Sequence, residues 1–212
     1  MKSILFAFPT WDGGPIVVVY SFVVMALAAF PVAVFLLRRL GGPYGITRHV
    51  AFDLCAIAAT SALAGSAALY ILCDTCFYDD PFNYLFVNPH VGYKGLGGMV
   101  AAVAAVSFYI KRFAPEIGVR RGLSLLSVAA LAGGAVVRIG CFLAGCCHGV
   151  ETDVPWAVHF PHVEGGRHPT QLYEAIAAAV AAFAVARASS KSRIPVENGI
   201  GAYFVFYGVT RL

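Results

Sequence analysis

Long apolar runs separated by short polar segments are the dominant pattern of this sequence. Six runs can be recognised, at residues 14–37, 51–72, 95–110, 123–147, 171–187 and 198–212. Each approaches the ~20 residues that an α-helix needs to cross the hydrocarbon core of a bilayer. The pattern predicts an all-α, polytopic membrane bundle of about six transmembrane helices, formed as a single domain over residues 1–212.

The composition supports this membrane assignment and excludes one other class of protein. Hydrophobic residues make up 59% of the chain and charged residues 12%, whereas a soluble domain averages about 25% charged residues. The net charge of +4 comes from short basic clusters between apolar runs and not from one basic face. We therefore expect no nucleic-acid partner.

Basic residues fall in alternate loops, and this predicts the orientation of the chain. The segments after the first, third and fifth runs hold ten of the fifteen Lys and Arg residues. The positive-inside rule assigns such segments to the cytoplasm. The N-terminus and the loops at about 73–94 and 148–170 are then predicted to face outward.

Arg138 is the one basic residue in the middle of an apolar run. An unpaired guanidinium at such a position costs at least ~2.5 kcal/mol, so Arg138 needs a partner or a route to water. Its helix reaches the outward loop at His148 within ~15 Å, which leaves snorkelling to the interface as one explanation. A functional role is the favoured one, because a planar guanidinium suits a phosphate.

Polar residues also gather where the fifth run begins, on the same predicted side as Arg138. The segment is Arg167-His168-Pro169-Thr170-Gln171-Leu172-Tyr173-Glu174. Two interpretations are open. The segment is a binding site, or it is only a capped helix start in which Thr170 is the N-cap and Glu174 is favoured by the helix dipole.

Two further features could serve a ligand or only the packing. Arg211 follows Tyr207 by four residues, so the two share a helix face at the outer end of the sixth run. There Arg211 either binds a phosphate or anchors the helix at the membrane interface. Gly97 and Gly98 open the third run, where glycine permits close approach of another helix or of a ligand.

Five of the six cysteines lie in or beside the predicted outward half, where disulfides are favoured. Cys73 and Cys76 form a C-x-x-C pair that, with Cys146 and Cys147, resembles the two-pair layout of membrane thiol oxidoreductases. A structural disulfide is the alternative for the first pair. Vicinal cysteines rarely bond to each other without strain, so Cys146 or Cys147 is expected to pair elsewhere or to stay free.

Four histidines lie at or near the loop at 148–170, namely His148, His159, His162 and His168. Their spacing matches no compact zinc signature, so the sequence predicts no metal site and no cofactor. A general base or a phosphate donor among these histidines is the stronger hypothesis.

Three segments together resemble the prolipoprotein diacylglyceryl transferase family. They are Arg138-Ile139-Gly140-Cys141-Phe142-Leu143-Ala144-Gly145-Cys146-Cys147-His148-Gly149, Pro155-Trp156-Ala157-Val158-His159-Phe160-Pro161 and His168-Pro169-Thr170-Gln171-Leu172-Tyr173-Glu174. Tyr20 and the segment from Tyr207 to Arg211 match family positions as well. The resemblance therefore extends over nearly the whole chain.

The resemblance implies a reaction and a place for it. A diacylglyceryl group would move from phosphatidylglycerol, an anionic phospholipid, to the thiol of a prolipoprotein cysteine at the outer face of the bacterial inner membrane. The implied catalytic residues are Arg138, Arg211, His168, His148 and Lys94, with the two arginines on the lipid phosphate. The implied substrate-binding residues are Tyr20, Tyr93, Gly97, Gly98, Gly149, Gln171, Tyr173, Glu174 and Tyr207.

Three positions depart from the family pattern. The family's phenylalanine-histidine-glycine-glycine segment corresponds to the neighbourhood of 92–99, which contains no histidine. Cys141 and Cys146 replace an asparagine and a glutamate. Family members also continue beyond residue 212, so the sequence is that of a divergent, shortened member or of a truncated one. The missing histidine leads us to expect that Lys94, Tyr93 or His148 accepts the proton of the acceptor.

Two other function classes remain open at the level of sequence. One is a membrane thiol-disulfide oxidoreductase that uses Cys73, Cys76, Cys146 and Cys147. The other is a relative that binds phospholipid without turnover.

Overall fold

The computed structural model describes residues 4–8, 17–74, 95–160, 163–190 and 198–210. Its helices are α1 (Ser21–Gly41), α2 (Arg48–Asp74), α3 (Gly95–Phe113), α4 (Val119–Ala144), α5 (Thr170–Ser190) and α6 (Gly199–Val209). Short 3-10 turns at Gly42–Tyr44 and Pro115–Ile117 precede α2 and α4. Strands β1 (Ile4–Phe8) and β2 (Val17–Tyr20) form an antiparallel pair.

The predicted helical membrane fold is confirmed. In the described part of the chain, α1 to α5 are long and apolar enough to cross a membrane, and α6 is a shorter apolar helix of 11 residues at the sixth predicted run. Phe35, Phe108 and Phe183 are 64%, 68% and 70% exposed, which suits side chains whose solvent is lipid. The chain is therefore a multi-pass membrane protein.

The start of the first predicted span was wrong. The run at 14–37 was read as one helix, but Val17–Tyr20 pairs with β1, and α1 begins only at Ser21. Three consecutive valines precede Tyr20, and β-branched side chains favour extended backbone. Tyr20 therefore ends a strand and does not lie in the first span.

Residues 41–123 form one of two compact units into which the chain divides. Its helices α2 and α3 approach closely through glycine. A Cβ on Gly97 would collide with the carbonyl of Gly65, and a Cβ on Gly98 would collide with the Ser66 hydroxyl. Small residues at such a seam let two membrane helices come into backbone contact.

This seam predicts a stability difference between two glycines of α3. Gly97→Ala should lower the free energy of unfolding by about 1–3 kcal/mol, because the added methyl group meets backbone. Gly95→Ala is the matched control, since no atom of the described residues lies within 4 Å of its Cβ position. Thermal unfolding of both variants in detergent checks the prediction, and equal melting temperatures would contradict it.

Residues 1–40 and 124–212 form the other unit. Here α1 and α6 both pack on α4 at glycines. A Cβ on Gly140 would lie 2.9 Å from the Met25 Cβ, and a Cβ on Gly199 would meet the Ser124 carbonyl. Close packing around α4 fixes the side on which Arg138 emerges.

Candidate functional site

Arg138 finds its partner on the neighbouring helix. It lies six residues before the end of α4, ~9 Å along the axis, and its Nη2 atom is 2.6 Å from Oε2 of Glu174 on α5. The two side chains are 22% and 17% exposed. The ion pair satisfies the requirement for a counter-charge, so snorkelling is not needed to explain Arg138.

This ion pair lines a cavity of about 150 Å³ between α4, α5 and α6. Three hydroxyl-bearing residues of α6 and its C-terminal end complete the polar wall, namely Tyr203, Tyr207 and Thr210. The rings of Tyr203 and Tyr207 stack at 6.4 Å between centroids. A cation and several hydroxyl groups in a small cavity are suited to an anionic headgroup.

An apolar groove of about 650 Å³ lies on the next face of the same helices. It is lined by apolar residues of α1, α4 and α5, among them Phe35, Ile139, Leu172, Ile176 and Phe183. Ile139 directly follows Arg138, and Ala175, which also lines the groove, directly follows Glu174. The polar cavity and the apolar groove therefore use adjacent faces of one helix pair.

The C-terminus of α4 turns back on itself in a Schellman motif. The amide of Cys146 donates to the carbonyl of Cys141 at 3.2 Å, and the amide of Gly145 donates to the carbonyl of Phe142 at 3.1 Å. Gly145 has φ 76° and Cys147 has φ 59°. The left-handed backbone of Cys147 is rare for a residue with a Cβ, so its surroundings must hold it there.

The first residues of α5 hold this turn in place. Gln171, which is fully buried, donates from Nε2 to the carbonyl of Cys146 at 2.6 Å. The Thr170 hydroxyl donates to the carbonyl of Cys147 at 3.0 Å. Thr170 therefore uses its hydroxyl to tie the loop to the helix, a role beyond the N-cap alternative.

The outer rim of the site is a small hydrogen-bonded group. The indole Nε1 of Trp156 donates to the Tyr173 hydroxyl at 2.7 Å, and Nδ1 of His168 lies 3.3 Å from the same oxygen. Gly149 donates its amide to the carbonyl of His168 at 2.9 Å, and a Cβ on Gly149 would lie 2.7 Å from Cγ2 of Thr170. Only glycine allows this close approach.

Three thiols complete the site. Cys141, Cys146 and Cys147 have their Sγ atoms within 4.8 Å of one another. The pKa of Cys147 is lowered to about 5, first by the hydrogen bond from the Cys141 thiol, then by that from Cys146 and by the charge of Arg138, with burial opposing them. Burial raises the pKa of Cys146.

Comparison with known proteins decides the family. The model of the prolipoprotein diacylglyceryl transferase family matches residues 12–212. The chain belongs to this family. Several similar proteins have the name phosphatidylglycerol–prolipoprotein diacylglyceryl transferase. That of Geobacter sulfurreducens is 30% identical over 88% of this chain and 73% of its own length. That of Clostridium tetani is 27% identical over 92% of this chain and 78% of its own length.

A third relative with the same name, from Mesorhizobium japonicum, is 34% identical over 76% of this chain and 57% of its own length. Membership of the diacylglyceryl transferase family makes this chain a membrane transferase and favours that class over the oxidoreductase alternative. Cys73 carries a free thiol, and Cys76 lies outside the described residues.

The structure brings together part of the predicted diacylglyceryl transferase site. Arg138, Glu174 and Tyr207 line the cavity, while Gly149, His168, Gln171 and Tyr173 form the adjoining rim and turn. The His148 ring packs on Phe160 at 5.3 Å between centroids, with Nδ1 3.4 Å from the Gly149 carbonyl.

Other predicted residues either belong to the other unit or lie outside the described residues. Gly97 and Gly98 lie in the unit at 41–123, where they pack against α2. Tyr93, Lys94 and Arg211 lie outside the described residues. Their roles stay predictions.

Sequence reasoning missed several residues of the site, among them Tyr203, Thr210 and Trp156. One signal was present, because Tyr203 precedes Tyr207 by four residues and so shares its helix face. Trp156 and Thr210 stand in segments that resemble the family, but the contact of Trp156 with Tyr173 depends on the path of the loop and leaves no periodic signal.

The low pKa of Cys147 predicts a distinct reactivity profile. In the presence of a metal chelator, its alkylation rate should fall as the pH drops through about 5 and stay level above about 6, because the thiolate is the nucleophile. Cys146 is the internal comparison and should still gain reactivity above about pH 8. Mass spectrometry after iodoacetamide pulses measures both, and a Cys147 rate that rises tenfold per pH unit near neutrality would contradict the prediction.

Proposed function

We propose that this enzyme transfers the diacylglyceryl group of phosphatidylglycerol to the thiol of a prolipoprotein cysteine at the outer face of the bacterial inner membrane. One observation carries the proposal. The Arg138–Glu174 pair and the hydroxyl-bearing residues Tyr203, Tyr207 and Thr210 line a cavity beside an apolar groove. A phospholipid has the same two parts, an anionic headgroup next to acyl chains.

Arg138 has the central role in the proposed reaction. The acceptor thiolate attacks the glycerol carbon that carries the phosphate ester, a C–S bond forms, and the C–O bond to phosphate breaks. The electron pair leaves with glycerol phosphate, whose charge Arg138 stabilises from within a low-dielectric cavity. Tyr203 and Tyr207 lie beside that charge and have hydroxyl groups that can donate to it.

The acceptor thiol must lose a proton, and we assign Glu174 as the residue that receives it. Its carboxylate is paired with Arg138 in the described structure. A bound phosphate competes for the same guanidinium and releases the carboxylate for general-base work. Glu174 then fills the role that the sequence interpretation gave to Lys94, Tyr93 or His148.

The reaction is tested with the purified full chain, phosphatidylglycerol labelled in its headgroup, and a lipobox peptide. Peptide-dependent release of glycerol phosphate, together with a diacylglyceryl mass on the peptide cysteine, supports the proposal. Release onto another acceptor overturns the prolipoprotein part. Lipid that binds without any release overturns the transfer itself and leaves the lipid-binding alternative.

The base is tested by three single variants in the same assay. Glu174→Gln should lower kcat by about 100-fold, within the range for general bases. Lys94→Ala and His148→Ala should keep turnover within about threefold if Glu174 is the base. A larger loss in Lys94→Ala or His148→Ala than in Glu174→Gln would transfer the role to that residue.

A further inference from the structure

The three clustered thiols have a geometry that the transfer reaction does not use. The Sγ atoms of Cys141, Cys146 and Cys147 lie within 4.8 Å of one another. Thiolates that share one metal ion at about 2.3 Å each stand about 4 Å apart. The observed spacing thus needs an adjustment of only about 1 Å to close on an ion.

The backbone builds the cluster by a specific route. The Schellman turn at Gly145 reverses the chain, so Cys146 and Cys147 return beside Cys141 in the last turn of α4. The hydrogen bonds from Thr170 and Gln171 hold both carbonyl groups of the turn. Three sulfur ligands are therefore positioned by α4 and α5 and not by a loop alone.

The surroundings suit a group of thiolates. Cys141 is buried, whereas Cys146 and Cys147 are exposed and give an ion a way in. The positive charge of Arg138 acts on Cys147 and offsets the negative charge of bound thiolates. The amide Oε1 of Gln171 is buried and has no hydrogen-bond partner in the described part of the chain, so a polar acceptor stands unused next to the turn.

We propose that Cys141, Cys146 and Cys147 bind one thiophilic metal ion, with Cu⁺ as the preferred occupant. Soft thiolate ligands select such ions. Within the described residues, no histidine nitrogen or carboxylate oxygen belongs to the same group of ligand atoms, so the donor set is three sulfurs. Zn²⁺ structural sites almost always have four ligands, which makes Zn²⁺ the weaker match.

Binding requires no redox step. Each cysteine binds as a thiolate, any proton that its sulfur still carries passes to solvent, and copper enters and remains as Cu⁺. The three thiols take no part in the proposed lipid reaction, although they adjoin the same site, and the test does not depend on transferase activity.

The test uses the full chain in detergent under nitrogen with a non-thiol reductant. Cys73→Ser and Cys76→Ser are introduced first, to remove the other thiol pair of the sequence. Cu⁺ is then titrated against a competing Cu⁺ chelator. One ion per chain is expected, and Cys141→Ser, Cys146→Ser or Cys147→Ser should each weaken binding at least tenfold, because loss of even an outer partner of a metal ligand costs about 10–100-fold.

Cys55→Ser is the matched control, since Cys55 is a buried cysteine of α2 outside the cluster, and it should leave Cu⁺ affinity unchanged. Alkylation of the chain in which all three cluster cysteines are intact gives a second readout, which does not depend on the folding of a cluster variant. Cu⁺ should protect Cys141, Cys146 and Cys147 together. Equal affinity in all three cluster variants, protection of fewer than three thiols, or a disulfide within the cluster that persists under the reductant would overturn the proposal.

Discussion

Replacing Arg138 with alanine should lower kcat/KM for glycerol phosphate release by about 100- to 1,000-fold, the loss that follows removal of one stabiliser of transition-state charge. Arg138 is the cation of the described cavity wall, which Tyr203 and Tyr207 also line. Arg138→Lys should recover only part of the rate, because an ammonium does not reproduce the planar fork. Initial rates with labelled phosphatidylglycerol provide the measurement.

Arg187→Ala is the matched control for this variant. Arg187 lies in the last turn of α5, ~20 Å along the helix axis from Glu174. Its removal should leave kcat/KM within about twofold. Thermal unfolding identifies any Arg138 variant that fails to fold, and wild-type turnover by a folded Arg138→Ala protein would remove Arg138 from the reaction.

The positions of the helices could be predicted because hydrophobic length decides them. The runs at 51–72 and 171–187 became α2 and α5 with ends shifted by a few residues. The exception lies at Val17–Tyr20, where local β-propensity and pairing with β1 end the apolar run as a strand. Hydropathy alone does not distinguish a strand from the start of a helix here, because both need apolar side chains.

The sequence predicts that Arg138 needs a partner but does not identify that partner. Burial energetics demanded a counter-charge, and Glu174 was on the correct predicted side. The pairing depends on how α4 and α5 are rotated about their axes, and glycine contacts such as Gly140 against Met25 set the rotation of α4. Such contacts are long-range and leave no periodic signal in the chain.

The thiol cluster was hidden for a different reason. Sequence reasoning compared cysteine pairs with redox motifs and compared histidines with zinc motifs. The decisive residue is Gly145, whose left-handed conformation reverses the chain after α4. Gly145 lies inside the predicted run at 123–147, and a helix end at this glycine, just before Cys146, is the signal that would have brought Cys141 and Cys146 together.

The two strongest family segments form one structural unit, and this explains why they occur together. The segment at 138–149 supplies Arg138 and the turn, while the segment at 168–174 supplies Gln171, Thr170 and Glu174. They are joined by one ion pair, two side-chain bonds to carbonyl groups and the backbone hydrogen bond from Gly149 to His168. A change in either segment therefore alters the position of the guanidinium as well as its own residues.

A double-mutant cycle on the ion pair should show the second large effect, on stability. Glu174→Leu should lower the free energy of unfolding by about 2–3 kcal/mol, because it leaves Arg138 as an unpaired, largely buried charge. The combined Arg138→Leu and Glu174→Leu variant should lose about 1 kcal/mol or less, because no buried charge remains without a partner. Titration with SDS in mixed micelles measures the free energy of unfolding of each variant.

The size of the coupling energy separates two explanations of Glu174. If the ion pair exists to hold Arg138 in the apolar run, the double variant is more stable than Glu174→Leu alone, although it cannot transfer lipid. If Glu174 instead stabilises α5 by itself, the losses of unfolding free energy in the two single variants, Arg138→Leu and Glu174→Leu, add, and the coupling energy is near zero. The 2.6 Å contact favours the first result, in which Glu174 supports the site in the resting state and accepts a proton only after phosphate has taken its place on Arg138.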